Sequence, residues 1–326
     1  MPVASASANA FWIQAPGQGE LVRESIAEPA SGEVLVHARH GAVSRGTELL
    51  IYRGRVPASE FERMRAPFQA GSLPGPVKYG YANVGRVQLG PPALIGRDVF
   101  CLYPHQDRYV VPASAVYPLP EHLPAARAIL AANMETALNG LWDSALLPGD
   151  RVAVVGAGVV GLLVAWLAAG VRGCTVEVIE PLAERRAIGQ QLGLRCVAPG
   201  LAEPDADLVF HASGSNDGLR QALALAGFEA RVIELSWFGA AEISLPLGEA
   251  FHVKRLHIVS SQVAMVATRQ RARWDHGRRM RLALSLLTDA RLDALITGHW
   301  QFSALPELMQ SLAQGTRGGL CDRIDY

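Results

Sequence analysis

Residues 152–161 read Val-Ala-Val-Val-Gly-Ala-Gly-Val-Val-Gly, and the fold is decided there. Four small or branched apolar residues make a strand that avoids water on both faces. The glycines that follow fall as G-x-G-x-x-G, closing the strand and opening a helix. Gly156 makes the tight turn, Gly158 lets backbone approach a pyrophosphate, and Gly161 permits close packing of helix on sheet. The helix start, at Val159 and Val160, offers free N–H groups and a partial positive charge to a diphosphate. About twenty residues on, a second strand ends in Val178-Ile179-Glu180, where a carboxylate can accept ribose hydroxyls. The pattern predicts a dinucleotide. Glu180 repels a 2′-phosphate and Pro181 has no N–H to offer one. Arg185 and Arg186 pull the other way, with Arg185 expected to flank the adenine. The balance of charge favours NAD over NADP.

Extended to Val171, the same run holds twenty residues without a charge, the length of a membrane span. The glycine spacing divides it into a strand and a helix, and a buried parallel strand feeding a buried helix has the same hydropathy. No membrane partner is expected. Downstream, strands at Thr175–Ile179, Asp207–His211 and Ala230–Leu235 alternate with helices at 182–192 and 218–226. That alternation argues for an α/β fold with a doubly wound parallel sheet. Upstream, residues 1–118 are β-rich, with short strands at 33–38, 84–87, 98–102 and 108–112 bounded by Gly or Pro. Phe68 to Tyr81 carries two prolines and reads as loop. A single apolar helix is expected over Ala125–Asp143.

The chain has 326 residues, with 30 Lys+Arg against 30 Asp+Glu. That length suggests two domains and supports a full core. Zero net charge argues against a nucleic-acid partner, which calls for a basic excess. Cys101, Cys174, Cys196 and Cys321 stand far apart with no C-x-x-C, so reduced thiols in a cytoplasmic setting are expected. Met1 to Ala10 shows no basic start or apolar run of a secretory signal.

Four stretches carry a resemblance: Gly41-Ala-Val-Ser44-Arg-Gly-Thr47-Glu48, Gly80-Tyr81-Ala-Asn-Val-Gly-Arg-Val87, Pro148-Gly149-Asp150 before GAGVVG, and Cys321 to Tyr326. Together they resemble the medium-chain dehydrogenase/reductase superfamily over essentially the whole chain. S-x-G-T-E and G-Y in place of zinc motifs are most similar to the branch containing bacteriochlorophyllide a dehydrogenase. The resemblance implies a GroES-like catalytic domain at 1–118, a Rossmann domain at 119–255, and a return to the catalytic domain at 256–326. It also implies hydride transfer between NAD(P) and a secondary alcohol/ketone pair, a small-molecule substrate, and a homodimer. Two alternatives stay open: an enoyl or quinone reductase, and an NAD(P)H-binding protein without turnover.

The departures from that family bear on metal. Its zinc enzymes place Cys where this chain has Ser44, His-Glu where it has Tyr81-Ala82, and Cys near Ala131 or Ala132. The structural-zinc loop is missing too, since Cys101 is the only cysteine in the first 170 residues. Zinc takes three or four Cys, His or carboxylate ligands, so a metal-free site is expected; a rescue by His105, Glu48 and Glu135 is the lesser alternative. In place of a metal, Tyr81 is the candidate donor to the reacting oxygen, with Lys78 lowering its pKa. Thr47 and Glu48 form a candidate proton relay. Glu135 is a candidate general acid raised by burial; alternatively it is solvated or pairs with Arg45. A second reading of Tyr81, left open by the sequence, is that it fills the volume a metal would take. Thr136 matches a position at the nicotinamide end of the cofactor. Ser213 and Ser236, after two parallel strands, and Arg45 complete the expected cofactor contacts, with His211 close by but not expected to act as a base. The arginines between 269 and 281 read as a solvated helix face.

Overall fold

The computed structural model describes residues 6–326. They form two compact units, 6–132 with Ile296–Tyr326, and Asn133–Leu295.

The second unit is built on six parallel strands. In space they run Arg195–Val197, Thr175–Ile179, Arg151–Val155, Ala206–His211, Ala226–Glu234, His257–Ser260. Chain order reverses between Arg151–Val155 and Ala206–His211, the switch point where a doubly wound sheet binds its ligand. Every residue of Val152–Val155 is buried, as helices on both faces of a parallel sheet require. The helix Val159–Ala169 follows the glycine turn, and Asn216–Leu225 packs Leu219, Ala222 and Leu223 onto the core beside Val209 and Val232.

Two expectations about organisation change. Residues 256–295 lie in this unit, because His257–Ser260 hydrogen-bonds in parallel to Ala226–Glu234 as a sixth strand and Leu256 joins the same core. Residues 119–132 pack instead with the first unit, where the short helix Ala125–Ala128 lies on the strands Glu33–Ala42 and Asn83–Leu89. The boundaries therefore fall at 132/133 and 295/296, not at 118/119 and 255/256. The apolar helix expected over 125–143 is also broken, into Ala125–Ala128 and Ala131–Ser144.

The first unit holds a seven-stranded sheet and a four-stranded one. In the larger, Cys321–Asp325 pairs antiparallel with Glu33–Ala42, which pairs with Asn83–Leu89 and with Arg108–Pro112. The last strand of the chain thus completes the first sheet. Val34, Val36, Val87, Val99 and Tyr109 fill the core. The segment 68–81 is not all loop, since Ala70–Gly71 and Val77–Lys78 make short strands of the smaller sheet. No helix among the described residues is long and apolar enough to cross a membrane.

Candidate active site

The glycine turn has the geometry its sequence predicts. Gly156 sits at φ +109°, and a Cβ there would lie 2.8 Å from the Ser213 backbone. Gly161 passes so near the turn that its Cβ would be 2.0 Å from the Gly156 carbonyl oxygen. A Cβ added at Gly158 would meet nothing within 4 Å beyond its chain neighbours and its own helix. Gly158 is the helix N-cap and no side chain caps that end, so the first-turn amides of Val159 and Val160 face this open space. Such a cradle fits a diphosphate.

Glu180 follows its strand almost fully buried. Its Oε2 accepts the Ala157 N–H at 2.9 Å and its Oε1 the Leu182 N–H at 3.0 Å. Arg186 rather than Arg185 closes over the strand end, its Nη1 donating to the carbonyls of Glu180 and Pro181 at 2.8 and 2.7 Å. Arg185 is half-buried and its Nε has no hydrogen-bond partner. Ser213 and Ser236 follow two neighbouring strands at the switch point, with the Ser236 Oγ accepting the Gly214 N–H at 3.0 Å.

In the first unit, Glu48 opens the helix Thr47–Tyr52. Its Oε1 accepts the Ser44 N–H at 2.9 Å and its Oε2 lies 2.8 Å from the His105 Nε2. The His105 Nδ1 is 3.3 Å from the phenol oxygen of Tyr326, the last residue. Gly80, at φ +129°, makes room for that imidazole, since a Cβ would meet its Cδ2 at 2.9 Å. Tyr81 comes next, half-buried and edge-on to Tyr79. Burial pushes the Tyr81 phenol up and the charge of Glu48 adds to the rise, while the Ser44 and Thr47 hydroxyls pull it down. The net shift is upward, so Tyr81 keeps its proton.

Four expected placements change in the structure. Lys78 is buried, donating to Glu24 and Gln106 at 2.7 Å each and lying over the Trp12 ring. The charge that acts on Tyr81 is instead Glu48, of opposite sign. Glu135 is neither solvated nor paired with Arg45. It accepts from the Arg279 Nε at 3.0 Å, and Arg279, 1% exposed, also reaches Asn139 and the Val263 carbonyl. Burial pushes the Glu135 carboxyl up, and Arg279 pulls it only part of the way back. Arg279 therefore leaves the solvated face expected of the 269–281 arginines. Arg45 holds the 317–322 segment, bonding Asp322 at 2.6 Å and the Gly318 and Gly319 carbonyls at 2.6 and 2.8 Å. Thr136 is half-buried in the helix Ala131–Ser144.

Tyr326, His211, Glu234 and Arg279 are polar groups that sequence reasoning did not assign to their partners, while His105 and Glu48, grouped in sequence only as possible metal ligands, pair directly with each other. One signal was available for Arg279: it falls on the stripe of Met280, Ala283 and Leu284, all buried.

A zinc ion does not fit these residues. Ser44 and Tyr81 offer hydroxyls where ligands would stand, and Glu48 and His105 engage each other. Among the described residues, no group of three or more His, Cys, Asp and Glu side chains is arranged to hold a metal.

No family model matches the sequence. A protein of Haemophilus influenzae described as an uncharacterized zinc-type alcohol dehydrogenase-like protein is 26% identical, over 93% of this chain and 94% of its own. D-guloside 3-dehydrogenase of Escherichia coli is 24% identical, over 86% of this chain and 88% of its own. Among solved structures, a putative zinc-binding dehydrogenase of Sinorhizobium meliloti bound to NADP superposes with a TM-score of 0.78. It shares 16% identity, with 98% of this chain and 100% of that one covered. The chain is thus similar, over nearly its whole length, to zinc-type alcohol dehydrogenase-like proteins, and it shares the fold of the zinc-binding dehydrogenases. It is an enzyme of the dehydrogenase class.

Proposed function

We propose that this enzyme moves hydride between a nicotinamide cofactor, NAD in preference to NADP, and a secondary alcohol/ketone pair, without a metal. The observation that carries the reading is the hydroxyl set of Tyr81, Ser44 and Thr47 beside Glu48, at positions where a zinc enzyme would hold thiolate and imidazole. A carbonyl that accepts hydride develops alkoxide character, and a donor aimed at that oxygen stabilises it. A phenol kept protonated by burial is such a donor, and it can pass its proton to the oxygen. Ser44 and Thr47 can return a proton to Tyr81. Bound at the Gly156–Gly161 turn, a nicotinamide cofactor would supply or accept the hydride. Glu180 supports NAD, because a buried carboxylate at the ribose repels a 2′-phosphate. The E. coli relative's name makes a sugar ring hydroxyl one form of the alcohol to assay. A small-molecule substrate, a cytoplasmic setting and a homodimer belong to the same proposal.

The test is Tyr81→Phe, with cofactor affinity measured separately. Turnover should fall at least about tenfold, and by about 100-fold or more if the phenol carries the whole acid–base step, with the affinity for NAD unchanged. An unaltered rate, or stoichiometric zinc in the purified protein, would overturn the reading.

A further inference from the structure

Tyr326 follows the strand Cys321–Asp325, in which Ile324 pairs with Gly41, and its N–H donates to the Arg39 carbonyl at 3.1 Å. Its phenol turns inward over Gly41, which carries no side chain: a Cβ there would lie 2.9 Å from the Tyr326 Oη. Gly80 admits the His105 ring in the same way. Each glycine opens one of the two stretches, 41–48 and 80–87, that hold Ser44, Thr47, Glu48 and Tyr81. The Phe302 ring packs on Tyr326 with centroids 4.5 Å apart, and Phe11 meets His105 edge-on.

The hydrogens along this series of groups run in one direction. Tyr109 donates to the Asn83 Oδ1 at 3.1 Å, and the Asn83 Nδ2 donates to the Gln106 carbonyl at 3.3 Å. Asn83 also bonds the Tyr326 phenol and pulls it down, as a donor does. Burial and the charges of Glu48 and Asp107 push that phenol up by more, so it keeps its own hydrogen. The His105 Nδ1, 3.3 Å away, is where that hydrogen goes. At the other ring nitrogen the partner is a carboxylate, which only accepts, so Nε2 carries the imidazole proton and gives it to the Glu48 Oε2 at 2.8 Å. The Glu48 Oε1 takes the Ser44 N–H at 2.9 Å. Tyr109, Asn83, His105 and Glu48 are at most 3% exposed, so water cannot stand in for a missing member. Glu48 is the charge that acts on Tyr81, beside the Ser44 hydroxyl.

We propose that Tyr326 is a positioning residue, which through His105 fixes the Glu48 carboxylate beside Ser44 and Tyr81. The proposal rests on the reading of Tyr81 above and deepens it. NMR on the full chain labelled at the tyrosine Cζ tests it, with the Tyr81 signal assigned by its loss in Tyr81→Phe. Tyr326→Phe deletes one hydroxyl, keeps the ring on Phe302, and should move the Tyr81 signal. In His105→Gln the amide can still donate to Glu48 but nothing replaces Nδ1, so adding Tyr326→Phe should leave the Tyr81 signal where it was. A Tyr81 signal unmoved by Tyr326→Phe, or moved as far in the His105→Gln background, would overturn the assignment; if His105→Gln fails to fold, the single variant decides. In turnover, Tyr326→Phe should be slowed about 3- to 10-fold, the effect of one neutral hydrogen bond, with NADH affinity unchanged. Wild-type turnover in Tyr326→Phe beside a slowed Tyr81→Phe would also overturn the positioning. Wild-type turnover in Tyr81→Phe would overturn the function reading instead, and the Tyr81 signal would still decide the role of Tyr326.

Discussion

The Glu48 carboxylate and the His105 imidazole lie 2.8 Å apart with side chains only 3% and 2% exposed. Neither has water to turn to if the other is removed. Breaking such a pair from one side costs about 3–5 kcal/mol, because the remaining group stays buried without its partner. His105→Ala should lower the urea unfolding free energy by that amount. A drop below about 1 kcal/mol, the size of an exposed pair, would show that Glu48 finds other support.

The three glycines of the turn are predicted to fail in different ways. At Gly158 a side chain would enter open space, so Gly158→Val should leave the melting temperature of the cofactor-free protein near wild type. Its NADH affinity should fall at least about tenfold as the valine occupies the pyrophosphate approach. At Gly161 the new Cβ would meet the Gly156 carbonyl at 2.0 Å, and Gly161→Ala should destabilise the fold by about 1–3 kcal/mol, as overpacking does. Melting curves with and without NADH separate the two. Equal melting of both variants without cofactor would refute the distinction.

Arg279 joins the helix His276–Leu286 to Ala131–Ser144 through Glu135 and Asn139. Arg279→Met strands a buried carboxylate and should cost about 3–5 kcal/mol, whereas the double change with Glu135→Leu should recover most of it. Chemical denaturation of the four proteins reads the coupling. Additive losses would show that Glu135 and Arg279 do not act as a pair.

Asp98 provides a test in acid. Burial pushes its carboxyl up, but hydrogen bonding to Arg86 and the charges of Arg39 and Arg86 outweigh that and hold it below its ordinary value. A carboxyl lowered on folding contributes stability that is present above its unfolded value of about 3.9 and lost as pH falls through the folded value. All three side chains are partly exposed, so the effect is at most about 1 kcal/mol. Asp98→Asn should flatten the acid limb of the stability curve below about pH 4. An unchanged limb would remove Asp98 from the acid response.

The fold was legible where chemistry is local. G-x-G-x-x-G specifies its turn through steric limits at single residues, and alternating strands and helices specify a parallel sheet. The boundaries were not: a strand can be read in Leu256-His-Ile-Val-Ser-Ser, but its mostly exposed residues carry no sign of which sheet it joins, and only its hydrogen bonds to Ala226–Glu234 assign it. At the site, Tyr81 is placed by the resemblance at Gly80-Tyr81, and Thr47 and Glu48 by their adjacency to each other and to Ser44. Adjacency also misplaces Lys78. A lysine three residues from a phenol invites a pairing, yet a strand turns alternate residues to opposite faces, and Lys78 meets Glu24 and Gln106 instead. His105 lies 57 residues from Glu48, and Arg279 lies 144 from Glu135. Pairs so distant carry no local pattern, and only the folded chain brings them together.

Gly218 links helix propensity to the Ser213 hydroxyl in one substitution. In the first turns of Asn216–Leu225, Gly→Ala ordinarily adds up to about 1 kcal/mol of stability. Here the added methyl would sit 2.0 Å from the Ser213 Oγ and 3.0 Å from the His211 Nε2. A serine side chain can swing away, so the collision is relieved by rotating the hydroxyl off its imidazole rather than by unfolding. The helix gain and the lost hydrogen bond are of similar size, about 1 kcal/mol each, and the melting temperature of Gly218→Ala should stay close to wild type. A melting temperature raised by the full helix gain would show that the contact between the Ser213 hydroxyl and His211 contributes nothing to stability.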